Sequence, residues 1–151
     1  MKLIVVTAPT FFVEEDKIIT ALFEEGLDIL HLRKPETPAM YSERLLTLIP
    51  AKYHKRIITH EHFYLQEGIT KSGVTSGFTA EELRQAGKSK VIDSRVMALG
   101  GITPDNILEI KDYGFGGAVV MGDLWNKFNA CTDRDYLEVI RHFKKLKKMA
   151  D

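Results

Sequence analysis

Val96-Met97-Ala98-Leu99-Gly100-Gly101-Ile102-Thr103-Pro104-Asp105-Asn106 is the stretch on which the reading of the fold turns. Four apolar residues predict a short strand over 96–99, and two glycines end it. Thr103 is a good N-cap and Pro104 suits the first helical position, so a helix is predicted over 104–112. The chain then supplies Gly114-Phe115-Gly116-Gly117-Ala118-Val119-Val120-Met121-Gly122, a strand over 117–120 that again stops at a glycine. Strand, helix and strand in that order predict parallel strands joined by a right-handed crossover.

The same alternation runs outward from this unit. A β-branched strand over 3–7 is bounded by Pro9, and a helix over 13–25 places Ile18, Ile19, Leu22 and Phe23 on one face. Acidic residues open that helix and Gly26 stops it. A second strand is predicted over 27–32, and a helix over 38–49 has Thr37 as its cap and Pro38 at its start. A third strand covers 56–59. Further on, Thr79 and Glu82 make a capping box for a helix over 79–86. A last helix over 133–148 carries an apolar stripe of Tyr136, Leu137, Ile140, Phe143 and Leu146. Residues 67–78 form a polar, glycine-containing stretch with no strand pattern.

Composition bounds the rest. With 151 residues, 44% of them apolar, the chain predicts one domain with a packed core. Twenty-one basic residues balance 21 acidic ones, which argues against a nucleic-acid partner. The single cysteine, Cys131, excludes an internal disulfide and favours a cytoplasmic location. No apolar run is long enough for a membrane span or a secretory leader. Apolar strands fit an α/β fold whose parallel sheet is buried on both faces. Two architectures remain: an open doubly wound sheet, or a (β/α)8 TIM-type barrel. Length favours the open sheet, because a barrel typically needs about 200 residues or more.

Candidate chemistry gathers at strand ends. Gly100 and Gly101 let the backbone turn tightly and approach a ligand, and amides released at the following helix start suit phosphate. Alone they would also serve a plain turn. Gly122, at the end of the next strand, strengthens the phosphate reading. His31 and Arg33 share a face by strand alternation, with Lys34 beside them. Arg33 can grip a diphosphate through its fork, although Arg33 and Lys34 read equally well as solvated charges. His60-Glu61-His62 looks like a metal motif, but alternation separates Glu61 from the histidines. Glu61 as a Mg2+ ligand is the better reading, and zinc the weaker. Lys71, in Thr70-Lys71-Ser72-Gly73, could neutralise phosphate charge or sit on the surface. Trp125 reads as packing, and Cys131 has no base partner.

Together these residues resemble the thiamine-phosphate synthase family, which includes the TenI-like proteins. Leu30-His31-Leu32-Arg33-Lys34 is similar to the family's Gln-hydrophobic-Arg-x-Lys pattern, with His31 in place of Gln and Lys34 one position early. Ile57-Ile58-Thr59-His60-Glu61 resembles the segment whose Asp binds Mg2+, so the resemblance gives that role to Glu61. Ala98-Leu99-Gly100-Gly101-Ile102 with Asn106 is similar to the family's phosphate loop. Gly117–Val120 with Met121 and Gly122 is similar to its last strand, and Thr70-Lys71 to the end of a Thr-Lys loop. The resemblance implies a barrel that lacks strands four to six, either truly incomplete or with residues skipped near 68–70. Roughly fifty residues or more would be missing from a barrel of ordinary size. It implies a transferase joining hydroxymethylpyrimidine diphosphate to thiazole phosphate, with Mg2+ as cofactor. Arg33, Lys34 and Lys71 would be catalytic, and His31, Arg33, Thr70, Gly100, Gly101, Met121 and Gly122 would bind substrate. The alternatives are a metal-free TenI-like thiazole tautomerase or a non-catalytic phosphate-binding relative. The exposed edges of an incomplete barrel would favour a homodimer.

Overall fold

The computed structural model describes residues 1–60, 77–126 and 133–151. Its strands are β1 (Lys2–Val6), β2 (Ile29–Leu32), β3 (Ile57–Thr59), β4 (Met97–Leu99) and β5 (Gly117–Val120). Its helices are α1 (Glu15–Glu24), α2 (Ala39–Leu48), α3 (Ala80–Lys88), α4 (Ile107–Asp112), the single turn α5 (Gly122–Trp125) and α6 (Asp133–Ala150). A 3-10 turn over Ala51–Arg56 precedes β3. That turn and α5 are too short to carry a helical period, so the sequence pattern passes over them.

All described strand pairs are parallel, in the order β3-β2-β1-β5-β4. This order corrects the open doubly wound expectation. A doubly wound sheet moves outward from a central strand in both directions, which puts helices on both faces. Here β1 to β2, β2 to β3 and β4 to β5 are all steps in one direction across the sheet. Right-handed connections then put the crossover helices of these three steps, α1, α2 and α4, on the same face.

Burial agrees. Leu3, Val5, Leu30, Leu32, Ala98, Ala118 and Val120 project into one core with Ile18, Ile19, Leu22, Ile107, Phe143 and Leu146 from the helices. The register pairs Val5 with both Leu30 and Val120, so this row crosses the sheet. The opposite face carries Ile4, Val6, Ile29, His31, Ile58, Met97, Leu99 and Val119 by alternation. Ile4 and Val6 at its centre are buried, whereas Ile58 on β3 and Leu99 on β4 are 45% and 49% exposed.

Local chemistry explains most boundaries. Gly26 adopts a φ of 96°, and the Leu27 amide reaches back to Leu22 O, closing α1 with a left-handed cap. The Thr79–Glu82 capping box is present. Thr37 does not cap α2: its hydroxyl donates to Lys34 O at 2.6 Å, and Pro38 occupies the cap. Thr103 and Pro104 form a turn ahead of α4, which begins three residues later than predicted, behind Asn106.

Candidate active site

Parallel strands present their C-terminal ends along a single rim, where α/β sites form. In sheet order that rim runs from His60 after β3, through His31 and Arg33 at β2 and Thr7 after β1, to Met121-Gly122 after β5 and Gly100-Gly101 after β4. The two glycine turns therefore leave adjacent strands at the same end, with Leu99 in register with Val119.

Gly100 and Gly101 have φ values of 100° and 65°, left-handed conformations that only glycine adopts without strain. Among the described residues a Cβ on either would meet nothing within 4 Å, so the turn faces open space there. Asn106 braces it from below. Its Nδ2 donates to Gly101 O at 2.7 Å and its Oδ1 accepts from the Thr103 amide at 2.9 Å. Met121 packs partly against the core and leaves its main chain, with Gly122, at the rim.

On the other flank, His31 Nδ1 and His60 Nε2 lie 2.9 Å apart, so one ring donates to the other. Burial lowers the pKa of His31, and burial with the nearby His31 and Arg33 lowers that of His60. Arg33 is half-buried, with its main chain gripped at both ends by one hydroxyl. Its amide donates to Thr7 Oγ1 at 2.9 Å, and that hydroxyl donates to Arg33 O at 3.0 Å.

Lys34 is turned into the fold. Its side chain is 1% exposed, and Nζ donates to Ala8 O at 2.7 Å, to Thr10 O at 2.8 Å and to Glu15 Oε1. An ammonium has three donors, and all three are used inside the fold. Burial pushes the Glu15 carboxyl up and the Lys34 ammonium down, each against the pull of the other's charge. In this arrangement Lys34 ties the loop after β1 to the first turn of α1.

Sequence reading passed over three further pairings. Glu15 reads as an ordinary first-turn acid, yet it is the buried partner of Lys34. Trp125 Nε1 donates to Val6 O at 2.6 Å, tying α5 beneath the tip of β1. His142 of α6 meets Asp123 of α5 immediately after Gly122. Nothing local in the sequence marks these partners. Thr70, Lys71, Glu61 and Cys131 lie outside the described residues, and among the described residues no group of three potential metal ligands gathers.

A solved structure of thiamine phosphate pyrophosphorylase from Bacteroides thetaiotaomicron is 62% identical to this chain, with a TM-score of 0.87. The alignment covers 100% of this chain and 98% of that one. The chain belongs to the thiamine phosphate pyrophosphorylase (thiamine-phosphate synthase) family. The thiamine phosphate pyrophosphorylase from Pyrococcus furiosus shares the fold at 18% identity and a TM-score of 0.59, covering 99% of this chain and 95% of that one. A structure described as native KDPGal is similarly related in fold, at 18% identity and a TM-score of 0.60, covering 99% and 94%. No family model and no curated protein sequence matches the chain. The pyrophosphorylase fold accounts for the five-stranded parallel sheet. Among the described residues, no helix is long and apolar enough to cross a membrane.

Proposed function

We propose that this chain is a transferase of thiamine biosynthesis that joins hydroxymethylpyrimidine diphosphate to thiazole phosphate and releases diphosphate. The observation that carries the reading is the 62% identity, over the full chain, to thiamine phosphate pyrophosphorylase. The rim supports it. The glycine turn after β4 opens toward solvent beside Gly122, a backbone cradle suited to the acceptor's phosphate. Arg33, after β2 and so two strands from β5 and three from β4, suits the diphosphate that departs as the pyrimidine cation forms. Holding both phosphorylated partners along one rim would align the thiazole nitrogen with that cation.

The strand order supports a barrel arc: β3-β2-β1-β5-β4 is the cyclic order of first, second, third, seventh and eighth strands. Its two outer strands would make self-association the means of covering the apolar inner face, and sedimentation would detect a dimer. Magnesium belongs to this reading through Glu61. The described rim donors are His31, His60, Thr7 and Arg33, a set that does not by itself fit a hard cation needing oxygen ligands. When bound, the ion would neutralise charge on the diphosphate. Thr70 as a substrate-binding residue and Lys71 as a cation for the leaving diphosphate belong to the same reading.

The His31–His60 contact favours a second reading, thiazole tautomerisation, which needs an imidazole acid or base and no metal. Isothermal titration separates the two. The transferase reading expects binding of pyrimidine diphosphate that strengthens with Mg2+ and weakens in Glu61→Gln, and it fails if only thiazole phosphate binds.

A further inference from the structure

The polar side chains buried among the described residues are Thr7, Glu15 and Lys34: Thr7 holds the Arg33 main chain, and Glu15 pairs with Lys34, the next residue. Thr7 closes both hydrogen bonds on the Arg33 main chain, and its own amide donates to His31 O at 3.0 Å. Lys34, the next residue, runs beneath the loop between β1 and α1 and takes the carbonyls of Ala8 and Thr10. Glu15 closes the arrangement from the first turn of α1. The rings of Phe11 and Phe12 lie over the Lys34 ammonium, at 4.8 Å and 5.8 Å from Nζ.

A buried ion pair is no economical way to stabilise a core, because an apolar pair of the same volume is often as good. What this pair does achieve is geometric. It fastens a loop without regular structure to the tip of β2 at fixed points on both sides of the same arginine. Glu15 Oε2 is buried with no hydrogen-bond partner among the described residues, while Oε1 accepts from the Lys34 ammonium.

We infer that Thr7, Glu15 and Lys34 are positioning residues, which hold the β1–α1 loop against β2 so that Arg33 is presented rigidly to the diphosphate end of the substrate. The inference rests on the transferase reading above. Misplacing a charged group by about an ångström costs up to about a hundredfold, so loss of the brace should weaken diphosphate binding selectively.

The test uses inorganic pyrophosphate and thiazole phosphate as separate probes in isothermal titration on the full chain, with thermal melts alongside. Glu15→Gln should weaken pyrophosphate binding about tenfold; were Lys34 itself the ligand, releasing it would keep or raise affinity, and that result overturns the inference. Glu15→Leu with Lys34→Met replaces the pair by apolar groups. It should melt near the parent temperature yet bind pyrophosphate about tenfold more weakly, with thiazole phosphate within about twofold. Thr7→Val removes the hydroxyl clamp and should give the same selective loss, which decides the matter if the pair variants do not fold. Parent-like pyrophosphate affinity in a folded variant, or equal loss of both ligands, overturns the inference. Failure of the parent chain to bind pyrophosphate at all removes the transferase reading along with it.

Discussion

Arg33 and Gly101 are the residues on which the two halves of the proposed site can be tested apart. Arg33→Ala removes charge-assisted hydrogen bonds worth about 1.5–3 kcal/mol each, so pyrophosphate affinity should fall about 10- to 100-fold. Binding of thiazole phosphate should change little, and calorimetry showing equal losses would remove the role given to Arg33. Gly101→Val acts on the other half. Its φ of 65° costs an L residue about 1–2 kcal/mol, and the new side chain would project into the open space in front of the turn. Thiazole phosphate should bind at least about tenfold more weakly, while unchanged affinity would place the phosphate elsewhere. At this scale glycine turns are legible because φ limits which residue can stand there. The Lys34–Glu15 pairing is not legible there, because the neighbours of Lys34 in sequence say nothing of Glu15, which reaches it from another element.

Helix α3 shows how far local rules carry at the scale of an element. It has no buried residue, so its N-terminus depends on the Thr79–Glu82 box more than on packing. Thr79→Ala should destabilise the helix by about 1 kcal/mol, read as loss of helical circular dichroism or a lower melting point. Hydrogen bonds from the Thr79 amide and hydroxyl hold the Glu82 carboxyl below its ordinary 4.5. A depressed folded pKa means that the contribution is present above the unfolded value and is lost as pH falls through the folded one. The Thr79 amide resonance should therefore titrate with a midpoint below 4.5, and Glu82→Gln should abolish that titration. A midpoint at or above 4.5 contradicts the box. Both cap residues sit within one turn of each other, which is why their pattern was readable, whereas α4 started late because the Thr103–Asn106 turn uses Asn106 as its brace.

For the whole molecule, α6 closes the helical layer against α1, α4, α5 and β1, with Phe143 fully buried at its centre. Phe143→Ala should cost about 3–5 kcal/mol, measured by denaturant unfolding, and a loss below about 1 kcal/mol would mean that α6 is not part of the core. The sequence by itself determined the alternation of strands and helices, their apolar faces, and the glycine turns at the strand ends. Each of these is written in the preferences of a few adjacent residues and in periods of two and 3.6. The family resemblance was legible for the same reason, since its motifs are short and local. Strand order, the His31–His60 contact, the seating of Trp125 on Val6 and the buried Glu15–Lys34 brace were decided only in the tertiary structure. A periodic pattern states which face of an element is apolar and is silent about the distant partner that will cover it.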